Sequence, residues 1–279
     1  MRRLVRGEQG PSGGPAMTDV LGVCAAWGEG RCVVVREDGT AVEIALGDVV
    51  SGKPVPPRPS VRHRLSPREV EVHVLSLWDD VQADPVGEWQ LRSSGLIGGR
   101  HPRRANSTLA MGDPGMPVEG ASDAVLAWYA ERGRPPQAQV VDGSTEHEAL
   151  LGLGWEPLGS GSAHCQLASV AQVLRHLPRT DAVELAGSGD RVVAVLPDAR
   201  GEAAVDGDWV GVHGLAVEPR ARRRGLARTV VAGLLDWAAS RGATTAWLHV
   251  EVDNAPAIAL YGQLGFRTHH SLAYLRHPG

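Results

Sequence analysis

Arg220, Arg222, Arg223 and Arg224 stand directly ahead of Gly225-Leu226-Ala227, where Leu226, Val230, Leu234 and Ala238 begin to recur at helical spacing. A helix start is the positive end of the macrodipole and ordinarily favours acidic neighbours. Free backbone amides at such a start bind anions, Gly225 admits close approach of a ligand, and Ala227 keeps the first turn uncrowded. These residue types fit a polyphosphate seated at the helix start; a solvated basic loop is the alternative for any run of charge. Just upstream, Asp208–Val217 (DWVGVHGLAV) places Val210 and Val212 in one phase and Leu215 and Val217 in the other. A strand alternates with a period of two, so the slip around His213-Gly214 marks a β-bulge. A bulge leaves backbone N–H groups unpaired, and such donors bind an extended amide chain or stabilise an oxyanion.

The elements that hold these residues follow from the same patterning. The helix ends at the Arg241-Gly242 stop signal. Strand Thr244–Val252 comes next, then Asn254, a good N-cap, with Pro256 in the first turn of a helix carrying Ile258, Leu260, Tyr261 and Leu264. An earlier stretch reads in the same order. AWYAERG (Ala127–Gly133), strand Gln137–Val141, a helix and LGLGW (Leu151–Trp155) parallel DWAASRG (Asp236–Gly242), Thr244–Val252, a helix and YGQLGF (Tyr261–Phe266). Two related α/β halves account for this; chance likeness of two ordinary βαβ stretches is the alternative.

Ahead of the halves, residues 20–50 read as a β meander: Val20–Trp27, Cys32–Arg36 and Ala41–Leu46, with a hairpin signal at Glu37-Asp38-Gly39-Thr40. Three short strands make at best a small open barrel. Lys53–Ser60 (KPVPPRPS) is a stiff proline linker, and Ser66-Pro67-Arg68-Glu69 is a capping box that opens a short helix to about Trp78. Residues 1–16 are basic, rich in Gly and Pro, and lack the apolar core of a secretory signal. The expected division is a disordered extension at 1–19, a small barrel at 20–52, linker and helix at 53–87, and α/β halves at 88–180 and 181–279.

The 279 residues are 43% hydrophobic and 22% charged, in globular proportion, and no apolar run is long enough to span a bilayer. A net charge of -4 argues against a general nucleic-acid binder, so the basic cluster is a local feature. Cys24, Cys32 and Cys165 are odd in number and form no CxxC pair. That fits reduced thiols in a cytoplasmic protein, and no metal is expected.

The pattern RxxGxA at Arg222, Gly225 and Ala227, followed by NxxAxxLYxxLGF from Asn254 to Phe266, resembles the GNAT superfamily of acetyl-CoA-dependent N-acetyltransferases. The likeness covers roughly residues 205–275 and points toward the enzymes that acetylate ribosomal-protein N-termini. The rest of the chain is similar to a less characterised bacterial GNAT family. That family has a Tudor-like barrel ending in VVxGKxVPPRP and a first half with WxLR, RANS and GDPG, here Trp89–Arg92, Arg104–Ser107 and Gly112–Gly115. The resemblance implies an α/β (α+β) fold: a GNAT-type mixed sheet with helices on both faces, tandem acetyltransferase-like halves and a small β-barrel in front. The first half has neither the RxxGxA loop nor the Asn/Tyr pair. It is expected to be degenerate and to complete the fold without binding coenzyme.

By the same resemblance, acetyl-CoA is the cosubstrate. Amides of Arg222, Arg223, Arg224, Gly225, Leu226 and Ala227 hold its pyrophosphate, with arginine side chains assisting. Backbone of Leu215, Ala216 and Val217 pairs with the pantetheine arm and presents an N–H to the thioester oxygen. Asn254 contacts that arm as well as capping its helix. Tyr261 matches the family's acid for the leaving thiolate, against the alternative of a half-buried packing residue. His249 falls where the ribosomal-protein enzymes carry a glutamate base, and Glu251 lies two residues along on the same face. Either is a candidate base, and either can be structural. His213, His269, His270 and Tyr274 are candidates to line the acceptor pocket, or equally surface residues of edge strands. The implied reaction is direct attack by a primary amine, on a small molecule or a protein N-terminus, in a monomer or homodimer. One departure matters: only Thr180–Asp206 separates the helical-looking Val170–Leu177 from the bulged strand, too little for the two helices that usually wall the acceptor site. A catalytically weak acetyl-CoA-binding regulatory protein is therefore the alternative.

Overall fold

In the computed structural model, which describes residues 1–10, 13–36, 38–53, 61–96, 99–178 and 183–278, the chain divides into units at 1–58 and 59–279. Short strands joined by glycine turns build the first: β1 (Arg2–Gln9), β2 (Pro15–Asp19), β3 (Val23–Gly28), β4 (Arg31–Val35), β5 (Ala41–Ala45) and β6 (Val49–Ser51). The expected meander is the antiparallel ladder β3-β4-β5, although Glu37 of its turn lies outside the described residues. Two expectations are corrected. Residues 1–19 are not a disordered extension, because β1 pairs with β2 and β6, and Met1 packs with Val20, Cys32, Val34 and Ile44. The few apolar side chains at this end thus find a core to enter. The unit is two three-stranded ladders, β2-β1-β6 and β3-β4-β5, where a small open barrel of three strands is expected at 20–52. The prolines of KPVPPRPS fall on residues 54–60, outside the described residues.

The second unit begins with the capping box. Ser66 Oγ accepts from the Glu69 N–H while the Glu69 carboxylate accepts from the Ser66 N–H, opening α1 (Pro67–Glu71). A 3₁₀ segment at Val72–Leu77 continues it. With three residues per turn, Glu71, Val74 and Leu77 stand on one side, and all three are buried. There follow β7 (Gln82–Val86), β8 (Trp89–Ser93), β9 (Thr108–Leu109), α2 (Val118–Glu131), β10 (Gln137–Val141), α3 (Thr145–Gly152), β11 (Glu156–Pro157), β12 (Ala163–Ser169) and α4 (Val170–Arg175). The chain then runs through β13 (Glu184–Ala186), β14 (Arg191–Leu196), β15 (Ala199–Asp206), β16 (Trp209–Val217), α5 (Leu226–Ala239), β17 (Thr245–Glu251), α6 (Ala255–Gln263) and β18 (Arg267–Arg276).

One mixed sheet of 12 strands carries them all, in the order β13-β14-β15-β16-β17-β12-β18-β10-β9-β8-β7, with β11 paired to β18. The order strand, helix, strand, helix, strand occurs twice, and the two runs exchange their last strands: β12 ladders with β17, and β18 with β10. On either side of the central β12–β18 pair the same sequence follows, an antiparallel neighbour and then a parallel pair, β17 with β16 and β10 with β9. A helix bridges each parallel pair, as a parallel crossover requires.

Alternation along β17 sends Ala246, Leu248 and Val250 toward one face, where Val230, Leu234 and Leu235 of α5 and Leu264 and Phe266 bury them. Trp247 takes the other face with Trp209, Cys165 and Leu167, beneath Val70, Val74 and Leu77. Helices thus cover both faces. Among the described residues no helix is long and apolar enough to cross a membrane. Between α4 and β16 stand only β13, β14 and β15 among the described residues, so the shortened segment carries no helix pair and the α1 segment covers the sheet there.

Val74 is fully buried, and Val74→Ala removes two carbons from beneath the sheet. At about 0.8 kcal/mol per buried CH₂ plus a cavity cost, the loss should be about 2–3 kcal/mol. Urea unfolding reads it directly; an unchanged midpoint would mean that the segment does not depend on the sheet.

Candidate active site

Strands β16 and β17 pair in parallel only from Trp209↔Thr245 to Gly211↔Trp247. Beyond that, β17 keeps its partner β12 as far as Glu251 and β16 keeps β15 as far as Val217, while their facing edges have no ladder partner. The bulge lies where the phase slip predicts it. Glu202 faces His213 and Arg200 faces Ala216, so β16 has one residue too many, and Gly214 takes φ 60°. This extra residue turns Leu215 and Val217 back to the α5 face with Val210 and Val212.

Past Val217 the chain makes a short 3₁₀ turn and enters α5. Gly225 is its N-cap in the left-handed conformation, φ 81°, and makes no side-chain cap. Arg223, at φ 63°, is also left-handed, a strained state for a residue with a Cβ. The N–H groups of Arg223, Arg224, Gly225, Leu226 and Ala227 have no acceptor among the described residues. Five successive donors at the positive end of a 14-residue helix make a cradle for an anion. Arg220 is taken by Asp198 at 2.7 Å, and Arg222 Nε reaches the Val217 carbonyl at 3.4 Å. Arg223 and Arg224 are exposed. The equivalent turn before α2 is filled from within. Glu88 Oε2 accepts from the Asp113 N–H at 2.8 Å, and Asp113 Oδ1 accepts from the Gly115 N–H at 2.8 Å.

Asn254 caps α6, its Oδ1 accepting from the Ala257 N–H at 3.2 Å. Tyr261 packs edge-on to Phe266 in the cluster that Leu215, Val217 and Leu226 border. Its hydroxyl has no hydrogen bond among the described residues, and burial pushes its pKa up to about 12.

The opposite face presents different chemistry. His249 stands two residues beyond the last β16–β17 pair, its side chain 1% exposed, with Nε2 2.7 Å from Glu71 Oε1. His270 Nε2 approaches the same oxygen at 3.2 Å, and Gln139 Nε2 donates to Glu71 Oε2 at 2.7 Å. Burial opposes ionisation of Glu71, but His249 and His270 outweigh it and hold the carboxyl well below the usual range. Burial lowers the pKa of His249, Glu71 pulling the other way. Cys165 sits across the ladder from both histidines, and burial pushes its thiol well up. Glu71, Cys165 and His270 bring oxygen, sulfur and nitrogen within 4.8 Å, donor types that zinc accepts. Here hydrogen bonds already occupy both Glu71 oxygens.

Glu251 ends β17, exposed and without a side-chain partner among the described residues. Of the acceptor-pocket candidates, His213 lines a cavity of about 650 Å³ with Trp78, Asp79, Asp190, Glu202 and Leu96. His269, His270 and Tyr274 do not line it; His270 and Tyr274 are buried, and His269 bonds the Leu65 carbonyl at 3.0 Å. Sequence reasoning missed Glu71. The capping box located its helix, but nothing in the sequence ties it to His249, 178 residues away.

The fold is that of the GCN5-related N-acetyltransferases: a structure of one from Kribbella flavida superposes with TM-score 0.57 at 16% identity, covering 76% of this chain and 95% of that one. The family described as "Probable histone acetyltransferase Rv0428c C-terminal" matches residues 170–275. A [ribosomal protein bS18]-alanine N-acetyltransferase of Salmonella typhimurium is 46% identical over 59 residues, 21% of this chain and 40% of that protein. A mycothiol acetyltransferase of Streptomyces bingchenggensis is 33% identical over 121 residues, 38% of this chain and 39% of that protein. The chain thus spans about two fifths of the length of each of these relatives.

The buried pair sets a pH dependence. His249 is depressed, so below about pH 6.5 the unfolded chain binds a proton that the folded chain refuses, and stability falls with pH. Glu71 is depressed too; its contribution is complete above about pH 4.3 and is lost as pH falls through its folded value. Thermal melts from pH 8 to pH 2 should therefore fall in two stages, and Glu71→Gln should remove the lower one. A melting temperature independent of pH across that range would contradict the assignment.

Proposed function

We propose that the protein is an acetyl-CoA-dependent N-acetyltransferase acting on a primary amine, of a small molecule or a protein N-terminus. The observation that carries this reading is the run of five acceptor-less N–H groups at the start of α5, beside strands that part after Gly211. Amides of Arg223 to Ala227 would hold the pyrophosphate, the Arg222 N–H being already given to the Pro219 carbonyl, and the free edge of Leu215, Ala216 and Val217 would pair with the pantetheine arm near Asn254. The relatives' names and the fold agree with this chemistry.

A thioester lying in the opening between β16 and β17 has different chemistry on its two sides. Tyr261 stands on the α5 face with Leu215 and Val217, and His249 on the α1 face. An amine would arrive from the α1 face, lose its proton to His249 or to Glu251, and attack the carbonyl. The C–N bond forms, the C–S bond breaks and coenzyme A thiolate leaves on the Tyr261 side, while the second proton of the attacking nitrogen passes to the thiolate or to solvent. A phenol at about 12 stays protonated at neutral pH, yet full transfer to a thiolate of pKa about 8.5 is uphill. Tyr261 would thus chiefly donate a hydrogen bond to the departing sulfur. The degenerate reading of the first half is supported by Glu88 and Asp113, whose carboxylates take the Asp113 and Gly115 N–H groups of its turn.

The missing helix pair before β16 favours a second reading, a catalytically weak acetyl-CoA-binding regulatory protein. Thiol release from acetyl-CoA across a panel of amines and peptides separates the two: binding without turnover on any acceptor selects the second.

Calorimetry should find one acetyl-CoA per chain. Gly225→Glu places a carboxylate at the cradle and should weaken binding at least ~100-fold, since like charges about 4 Å apart near a surface repel by several kcal/mol. Gly225→Ala carries only the left-handed backbone cost of about 1–2 kcal/mol and should retain most of the affinity. Equal affinity of the wild type and the glutamate variant would rule out the cradle.

Tyr261→Phe keeps the ring and its contact with Phe266 while removing a hydroxyl that has no hydrogen bond among the described residues. Turnover should fall about 10²-fold, the low end for acid assistance, with coenzyme affinity and melting temperature unchanged. An undiminished rate would make Tyr261 a packing residue.

A further inference from the structure

A chain of hydrogen bonds with a fixed direction ends on His249. Arg92 is fully buried; its guanidinium has donors only, and it bonds the Ser107 carbonyl at 2.8 Å and Gln139 Oε1 at 2.7 Å. Gln139 must therefore turn its amide oxygen to Arg92 and its NH₂ to Glu71 Oε2, at 2.7 Å. Glu71 is thus an acceptor at both oxygens, and the Nε2 atoms of His249 and His270 that meet Oε1 carry protons. In a neutral imidazole one nitrogen donates and the other accepts. His249 Nδ1 is then a bare lone pair, and it is buried with no partner among the described residues.

The charge balance points the same way. His269 Nε2 donates to the Leu65 carbonyl, and the two Nδ1 atoms of His269 and His270 face each other at 2.8 Å. Two bare lone pairs at that distance would repel, so a hydrogen lies between them. The titratable and charged groups facing His249 are Glu71 from α1, Cys165 from β12, His270 from β18 and Arg104 from the 3₁₀ turn at 103–105. Burial first, with the Arg104 guanidinium adding to it, disfavours the charged form of His249 against the pull of Glu71.

We propose that Glu71 is a positioning residue, holding His249 in the Nε2–H tautomer so that Nδ1 takes the proton of the acceptor ammonium. This rests on the reading of His249 as the base. On proton transfer His249 becomes an imidazolium paired with the Glu71 carboxylate, the freed amine attacks the thioester, and the proton later passes to solvent. Glu71 lies outside both α/β runs, so the segment after the proline stretch completes the site. The WxLR arginine, Arg92, and the RANS serine, Ser107, anchor the far end of the chain of bonds.

The test is made on the full-length chain. Long-range ¹⁵N–¹H spectra of ¹⁵N-histidine protein, with the His249 signals assigned by His249→Gln, should show the neutral Nε2–H form in the wild type at pH 7. In Glu71→Gln the new amide must give its oxygen to Gln139, whose NH₂ direction is set by Arg92. Its own NH₂ then faces His249, whose tautomer should switch to Nδ1–H. Thiol release from acetyl-CoA with the best acceptor should drop about 10²–10⁴-fold. Acetyl-CoA affinity should stay within about twofold, and Glu71→Asp should restore part of both signals. An Nδ1–H tautomer or an imidazolium in the wild type overturns the proposal, as does a switched tautomer with undiminished turnover. If Glu71→Gln does not fold, the wild-type tautomer and Glu71→Asp decide. A wild type with the Nε2–H form that transfers no acetyl group defeats the enzyme reading, and with it the role given to Glu71. Turnover that survives His249→Gln defeats His249 as base while leaving acetyl transfer standing.

Discussion

Two parallel strands that separate leave backbone donors and acceptors needing new partners, and the candidate site depends on one such separation. After the Gly211–Trp247 pair, β16 and β17 each keep an outer neighbour and lose the inner one. Burying such an edge unpaired would be costly, so it must face water or a ligand with amides of its own. The bulge at Gly214 and the left-handed Gly225 belong to the same construction. One adds a residue to β16 beyond its last pair with β17, and the other is the N-cap from which α5 starts.

The α1 face is held by charge of a different kind. A carboxylate removed from water costs several kcal/mol unless its partners are close and directed. Glu71 meets that condition through Gln139, His249 and His270, and Gln139 is in turn oriented by Arg92. The segment that carries Glu71 also supplies Val70, Val74 and Leu77 to the core beneath Trp209 and Trp247. The short helix after the proline stretch is therefore structural in this unit, and it covers sheet where a pair of helices is missing.

The two α/β runs share an order of elements and an exchange of last strands, yet their helix starts differ in charge. Before α5 the donors are open and ringed by arginine. Ahead of α2, Glu88 and Asp113 take the N–H groups of Asp113 and Gly115. The same backbone device thus stands open in one place and meets internal carboxylates in the other.

Local rules made much of this legible in the sequence. The period-two slip located the bulge, helical spacing and glycine located α5, Asn254 announced its own cap, and Ser66-Pro67-Arg68-Glu69 announced α1. Each depends on residues within about one turn or one pleat of one another, so short-range sterics and hydrogen bonding decide them. The first 19 residues were misread because their apolar side chains are sparse, and only pairing with β6 and the contacts of Met1 give them a place. The order of the sheet, with β12 and β18 exchanged between runs, was likewise not readable. Nor was the meeting of Glu71 with His249 and His270, 178 and 199 residues away. Those contacts are set by how whole faces pack, and a sequence pattern marks a face as apolar without saying which other face will cover it.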